Sequence, residues 1–481
     1  MHNPMEQHPI TPDWLQRQPE LKTTIAKDNP NYWNADPQCL TTSSNIHTLN
    51  FGTGSSLYET SILPAIATAD SEVILVTCFW ARSRTLDALN NTLLQLSAKA
   101  IKTGKKIRIR ICFSSLSIFQ KLFHTTSLQG RTYAPSEWQR TLGLPPAEEM
   151  AGLDLEVKSI FIRPFSVMHP KFVVIDRKRV FLPSCNISWE DWFEGSVELS
   201  GPVVGQFVRF WKDFWASERE QYAGFIEGSR AEDDLVQNNS TSGTSASPSL
   251  PIHELHASVQ SMFLPSPHHR NPRFALLPWR PCPPPPPTPL NTFILAALAN
   301  AQHSIYIQTP NLTCPPVLSA LLKALARGVN IEILTSERLM ILEQLGTAGT
   351  TTKRCVKKLI KRHERLVAEY KARIRGDADP VLLESGELGR KQPGRLTVHY
   401  YRADPSGAGI SGSAEPVQSH LKLTIVDGEV TVLGSGNMDR ASWFTSQELG
   451  VAFFSKEFAA YVRSELDPMM VGRRKCVYDA R

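Results

Sequence analysis

The sequence predicts a duplicated α/β protein: two α/β domains, each a mixed sheet flanked by helices, packed about a pseudo-twofold axis around one shared site. Three observations carry this expectation. The string His169-Pro-Lys171-Phe-Val-Val-Ile-Asp176 recurs as His420-Leu-Lys422-Leu-Thr-Ile-Val-Asp427. Both copies continue with Ser and Asn at matching offsets, Ser184 and Asn186, then Ser435 and Asn437, and with a Glu at nearly the same offset, Glu198 and Glu448. The order of helical and extended patterns leading into each copy also repeats.

Along the chain, residues 1–45 are polar and Pro-rich and read as an irregular arm. The first domain is placed at 46–228. It holds a helix at 57–69, an apolar strand at 73–79, a helix at 85–102 and a strand at 106–113, where a 3.6-residue period gives way to a continuous apolar run. Residues 229–290 read as a disordered Ser/Pro-rich linker. Within it 237–250 is Asn/Ser/Thr-rich and 283–287 is a proline run suited to polyproline II. The second domain, 291–481, repeats the order: helix 291–301, strand 304–309, helix 317–326, strand 330–334. Gly104 and Gly328 stand just past the second helix of each half, where a left-handed cap belongs. Each half then reaches its His-x-Lys strand and a tight turn, Asp176 to Arg179 and Asp427-Gly428-Glu429. Amphipathic helices at 203–218 and 455–466 close the halves.

The chain has 481 residues, 41% of them hydrophobic and 20% charged, with a net charge of +6. That is an ordinary globular composition, long enough for two cores. Its eight cysteines contain no C-x-x-C pair, which argues against a thiolate zinc site and a disulfide framework. The start of the chain lacks a basic stretch followed by an apolar one, so no signal peptide is expected. No run approaches the roughly 20 apolar residues of a spanning helix. These features place the protein in the cytoplasm or at a membrane periphery, and it is expected to act as a monomer.

On a strand, residues i and i+2 share a face. His169 and Lys171 therefore point together, as do His420 and Lys422. A Lys beside a His keeps the imidazole neutral, as a nucleophile requires, and offers positive charge to a phosphoryl oxygen. Asn186 and Asn437 add neutral donors, Ser184 and Ser435 cap the site, and a Glu on the imidazole Nδ1 leaves Nε2 to attack. One half-site lacks an acid opposite its nucleophile; two halves about a dyad supply both. Nothing in this scheme requires a metal or cofactor.

The chain resembles the two-motif members of the phospholipase D superfamily, nearest to the bacterial-type cardiolipin synthases and phospholipase D-like enzymes. The resemblance rests on the two motifs, on Gly434-Ser435-Gly-Asn437-Met-Asp439-Arg440-x-Ser442 with Glu448, and on Ile305-Tyr-Ile-Gln-Thr309-Pro310 followed by Ala326-Arg327-Gly328-Val329. It covers about residues 50–225 and 290–465. The first copy departs from the pattern at Pro183, where Gly is typical, and Asn311 stands where an aromatic follows Thr-Pro. The resemblance implies a phosphohistidine intermediate resolved by water or by an alcohol, with His169 as nucleophile and His420 as acid, then base. It implies Lys171, Asp176, Lys422 and Asp427 as catalytic companions.

Two substrate classes fit, a glycerophospholipid or, as the alternative, a DNA or RNA phosphodiester; a non-catalytic scaffold is disfavoured because both copies are complete. Residues 353–375 carry ten Lys/Arg and two Glu, a net +8, while the chain as a whole is only +6. Val356, Leu359, Ile360, Leu366, Val367, Tyr370 and Ile374 recur at helical spacing, so a basic amphipathic helix is expected within an insertion at 337–395. It would meet an anionic membrane surface, line the entrance for an anionic substrate, or simply pack on the domain. Nucleic-acid binding favours interleaved aromatics, and this stretch offers one, Tyr370. Trp189, Trp192 and Phe193 read as lining for an acyl or glycerol pocket, or as core. An insertion at 114–150, with Phe119, Phe123, Trp138 and Leu142, reads as a lid or membrane-facing patch.

Overall fold

A computed structural model describes residues 40–217, 255–267, 284–375 and 391–480, except 118–119, 122, 126, 128, 164–165, 189–190, 408 and 411–412. The first half opens with β1 (Thr41–Thr53), then a helical stretch in three parts (Gly54–Leu57, a π-helical turn at Tyr58–Ile62, Leu63–Ala67). β2 (Glu72–Val76), α1 (Arg84–Thr103), β3 (Ile107–Phe113) and β4 (Leu153–Ser159) follow. The half ends with β5 (Phe172–Ile175), β6 (Arg179–Pro183), β7 (Trp192–Ser200) and α2 (Val203–Phe214).

The second half comprises β8 (His256–Ser266), α3 (Pro289–Asn300), β9 (Ser304–Thr309), α4 (Pro315–Ala326) and β10 (Asn330–Thr335), then α5 (Ile341–Ala348) and α6 (Thr352–Arg375). β11 (Leu396–Tyr401), β12 (Leu423–Val426), β13 (Val430–Gly434), α7 (Arg440–Phe444), β14 (Glu448–Phe454), α8 (Lys456–Met469) and β15 (Arg474–Asp479) complete it.

Hydrogen bonding joins the strands into one mixed sheet. Its main path runs β4-β3-β2-β5-β6-β7-β1 in the first half and β8-β14-β13-β12-β9-β10-β11-β15 in the second. The two paths meet where β1 and β8 pair antiparallel, Thr41 opposite Met262 and Ser44 opposite Val259. β2, β3 and β4 are parallel, as are β9, β10 and β11, with helical crossovers between the first two strands of each set. The central strands are buried on both faces, which explains their unbroken apolar runs: every residue of Glu-Val-Ile-Leu-Val in β2 and of Phe-Val-Val-Ile in β5 is buried. One apolar core passes beneath the β1–β8 seam, uniting Ile46, Phe51, Met262, Phe263, Ile307 and Val451.

This pairing corrects the expected organisation. β8 lies within the segment read as linker, and it relates to β14 as β1 relates to β7, so the repeated unit of the second half begins near residue 256 rather than 291. β1 likewise begins inside the stretch read as an irregular arm. The expected disordered run at 237–250, and His268 and His269, lie outside the described residues. β8 escaped notice because its one clear apolar run, Met262-Phe263-Leu264, is short and stops at Pro265.

The Asp of each motif has a structural assignment. Asp176 and Arg177 have φ of 50° and 54°, and Asp427 and Gly428 have 53° and 65°, a left-handed pair opening each three-residue hairpin loop between Ile175 and Arg179 or Val426 and Val430. Lys178 N–H and Glu429 N–H close these turns on Ile175 and Val426 carbonyls. The Asp176 carboxylate accepts from the N–H groups of Asp70, Ser71 and Glu72, and Asp427 accepts from those of Gln302, His303 and Ser304. Each Asp thus ties the motif hairpin to the start of its neighbouring central strand. Both stand at the far end of β5 or β12 from the histidine, not beside it, so the expectation of two catalytic aspartates gives way to two turn anchors.

Burial pushes the Asp176 carboxyl up, but the Asp70 and Glu72 N–H groups and the Ser71 donors hold it below its ordinary range. A depressed carboxyl stabilises the fold fully above the unfolded-state value near ~3.9 and loses that contribution as pH falls through its folded value. Asp176→Asn is expected to lower stability at neutral pH by about 1 kcal/mol. In urea titrations the gap between wild type and variant should narrow as pH falls below the ordinary carboxyl range; a gap constant with pH would contradict the anchoring role.

Candidate active site

The two histidines meet at the seam between the halves, each held by the opposite half. His169 N–H donates to Gln447 O at 2.9 Å, and His420 N–H donates to Phe193 O at 2.8 Å. The next residue along each partner strand is the glutamate that takes the ring. His169 Nδ1 lies 2.9 Å from Glu448 Oε2, and His420 Nδ1 lies 2.8 Å from Glu194 Oε1. With carboxylates on both Nδ1 atoms, each ring keeps its proton there and presents Nε2 unprotonated. The ring centroids are 6.4 Å apart and the planes perpendicular.

A serine fixes each glutamate. Ser184 Oγ donates to Glu194 Oε2 and accepts from Gly195 N–H; Ser435 Oγ donates to Glu448 Oε2 and accepts from Leu449 N–H. The expected strand begins one residue after each lysine, at Phe172 and Leu423, so the His-x-Lys residues lead into β5 and β12 rather than lying on them. The lysines are buried and reach back along these segments, Lys171 Nζ donating to His169 O and Lys422 Nζ to His420 O. Asn186 Oδ1 accepts from the N–H groups of Cys78 and Phe79, which directs the donor end of its amide away from that segment. Asn437 Nδ2 donates to Asp439 Oδ2 at 3.1 Å. Asn437 Oδ1 and Glu448 Oε1 are buried without a hydrogen-bond partner among the described residues. Both residues line, with Lys422, a cavity of about 30 Å³, which is room for roughly one water.

The structure brings together His169, Lys171, Ser184, Asn186, His420, Lys422, Ser435, Asn437 and Glu448, and leaves out Glu198. That carboxylate binds Arg179 Nε at 2.6 Å and Thr48 Oγ1 at 3.4 Å. It shares a strand face with Glu194 but sits four residues further along, roughly 13 Å away. Glu194 is the residue sequence reasoning missed. Between Asn437 and Glu448 the second half inserts α7, so equal spacing from the histidine points to the wrong residue of β7. A usable signal was present: Glu194-x-x-Val197-x-Leu199 matches Glu448-x-x-Val451-x-Phe453.

Other expectations resolve by burial. Trp192 packs its ring 5.0 Å from that of His420, whereas Phe193 is core, stacked near Phe51 and Tyr401. Trp189 and Phe119 lie outside the described residues. Trp138 and Leu142 are buried, and Phe123 is exposed. The basic helix forms as α6; Val356, Leu359 and Ile360 face the core, while Leu366, Val367 and Tyr370 are half-buried and Ile374 is exposed. His363 pins it, Nε2 donating to Gly394 O and Nδ1 accepting from Tyr478 Oη.

Electrostatics keep the rings neutral. Burial drives both imidazoles down, His420 to about 3; the paired glutamates oppose this and the lysines add to it. The neighbouring lysine was the cause expected from sequence, and it ranks behind desolvation. Burial also brings the Lys422 ammonium down to about 7. Against the upward push of burial, His420 and Lys422 hold the Glu194 carboxyl below its ordinary range.

A duplicated α/β fold in which two His-x-Lys segments meet, each ring clasped by the other repeat, defines a class of proteins with one site built from two motifs. Residues 294–470, within the second half of the chain, match the family described as "Cardiolipin synthase, PLD-like domain". Comparison with curated protein sequences gives no match. Solved structures similar to the chain include phosphatidylserine synthase from Haemophilus influenzae Rd KW20, at 16% identity over 91% of this chain and 89% of that one, with a TM-score of 0.49. The phospholipase D family member Nuc from Salmonella typhimurium is 20% identical over 40% of this chain and 91% of its own, with a TM-score of 0.25. Polyphosphate kinase from Porphyromonas gingivalis is 9% identical over 88% and 47%, with a TM-score of 0.42.

Two outcomes follow for turnover of a chromogenic phosphodiester such as bis(p-nitrophenyl) phosphate. Glu194→Gln and Glu448→Gln are each expected to lower kcat by roughly 10²-fold or more through loss of ring orientation, while Glu198→Gln stays near wild type. Equal losses at Glu194 and Glu198 would contradict the assignment. Because Lys422 carries its charge only below about 7 in the free protein, kcat/KM should fall as pH rises through that value. In Lys422→Arg, always charged, the alkaline fall should move to higher pH.

Proposed function

We propose that the chain is a phosphodiesterase or phosphatidyltransferase of glycerophospholipids, acting through a phosphohistidine intermediate. The observation that carries this reading is the crossed clasp, which sets two neutral imidazoles 6.4 Å apart, centroid to centroid, each with Nδ1 on a carboxylate. Reacting atoms approach to about 3–3.5 Å before bonding, so one phosphoryl group bridges the two rings. Its negative charge raises the affinity of the rings for a proton, which supplies the acid.

In the proposed sequence His169 Nε2 attacks phosphorus and the bond to the leaving alcohol breaks. His420 Nε2–H gives its proton to that oxygen. Water or a second alcohol then attacks from the vacated side, losing its proton to His420, and the P–N bond breaks. Lys171 and Lys422 supply positive charge to the phosphoryl oxygens, with the two Asn amides as neutral donors. Lipid is favoured by the family matched over 294–470 and by the scarcity of aromatics on α6. The net +8 of α6 suits contact with an anionic membrane surface, a peripheral placement. Among the described residues no helix is long and apolar enough to cross a membrane.

Incubation with phosphatidylglycerol or phosphatidylcholine liposomes, and separately with single-stranded DNA, tests the reading. Headgroup release or exchange is expected, lost in His169→Ala and His420→Ala. DNA cleavage beside inert liposomes would establish the nuclease alternative instead. With an activated p-nitrophenyl leaving group, which needs no acid, His420→Asn should accumulate phosphoenzyme and His169→Asn should not; the reverse would exchange the two roles.

A further inference from the structure

Helix α5 is built inside out. Its one buried residue is Gln344, while Ile341, Leu342 and Leu345, with Met340 just before it, are exposed, Leu342 at 85%. Water ordinarily drives the apolar stripe of a helix inward. Gln344 explains how the reverse is held: its Nε2 donates to Asn311 Oδ1 at 2.9 Å, and its Oε1 accepts from Thr352 N–H and Oγ1. Met340, at φ 51°, enters the helix in the left-handed region, a conformation that costs a residue with a side chain.

Other exposed apolar side chains stand on segments that connect to the site. α5 packs on α7, where Arg440 donates to Thr347 O. Asp439, the cap of α7, binds Asn437 of the site. From the first half, Phe123 is 84% exposed, and nearby Lys121 lies within electrostatic reach of Glu343 on α5. Val417, also exposed, precedes His420 by three residues, and its N–H donates to Asp191 O, next to Trp192. Both halves thus contribute exposed apolar side chains on segments tied to the imidazole site, taken together as its rim, and α6 with its +8 begins four residues beyond α5.

We propose that this rim is a docking surface for an anionic lipid bilayer: α5, Phe123 and Val417 enter the acyl–headgroup boundary while α6 meets the negative surface. At eight residues, or roughly 12 Å, α5 is too short to span and would lie in the interface plane. Charge decides against a second copy of the chain as occupant, because a twofold contact through this face would bring two +8 helices together. Docked this way, the imidazoles face lipid headgroups without a lipid having to leave the membrane. The inference rests on the phospholipid reading above and names the surface through which that substrate arrives.

The test compares wild type with Leu342→Asp/Leu345→Asp by co-sedimentation with vesicles of phosphatidylglycerol and phosphatidylcholine, and by turnover. Monomeric dihexanoyl phosphatidylglycerol, below its aggregation concentration, reports the chemistry alone. The variant is expected to lose at least tenfold in vesicle partitioning and in vesicle turnover, with monomer turnover within twofold of wild type. Unchanged partitioning overturns the proposal. So does a wild type that sediments as a dimer in analytical ultracentrifugation while the variant is monomeric, which would make the rim a protein interface. If wild type turns over neither form of the lipid, the phospholipid reading fails by itself, and the partition measurement still decides the docking surface.

Discussion

The site depends on a reciprocal contact: the imidazole of each repeat is held by a carboxylate of the other. His169 takes Glu448 and His420 takes Glu194, and in each case the histidine N–H also bonds the carbonyl just before that glutamate. Ring orientation and strand placement are therefore set by the same partner segment. The rest of the architecture serves this arrangement. The β1–β8 seam aligns the two sheets, Ser184 and Ser435 fix the carboxylates, and the motif aspartates hold the hairpins that carry the rings. Neither repeat contains an oriented imidazole by itself.

The fold was legible wherever local pattern and tertiary role coincide. The central strands are buried on both faces and so read as continuous apolar runs, and Gly104 and Gly328 have the positive φ that their cap positions demand. The site was legible through side chains with fixed spacing on one short segment leading into β5 or β12, from His169 to Lys171 and from His420 to Lys422. It was less so where partners cross between halves. Glu198-Leu199 mimics Glu448-Leu449 at nearly the same distance from the motif, yet α7 lengthens the second loop and shifts the true match to Glu194. Spacing along a chain measures position well inside an element and poorly across a loop. The aspartates show a related limit, since a residue can recur at a fixed offset because a turn needs it.

The two halves are similar in path but differ in elaboration. Around His420 burial is deeper, with the side chain 5% exposed against 16% for His169. The second half also carries α5, α6 and α7, so the features that shape access come mainly from one repeat. The first half contributes Trp192 against His420 and the loop bearing Phe123. Matching partners in unequal surroundings leave the two imidazoles alike in their hydrogen bonds and different in their exposure.

The clasp joins residues 279 and 226 positions apart. Closing loops of that length costs entropy before any contact rewards it, so such contacts form late. During synthesis His169 and Glu194 emerge before His420 and Glu448, the partners that each of them needs. A molecule whose second repeat has not folded therefore holds no clasped pair of imidazoles.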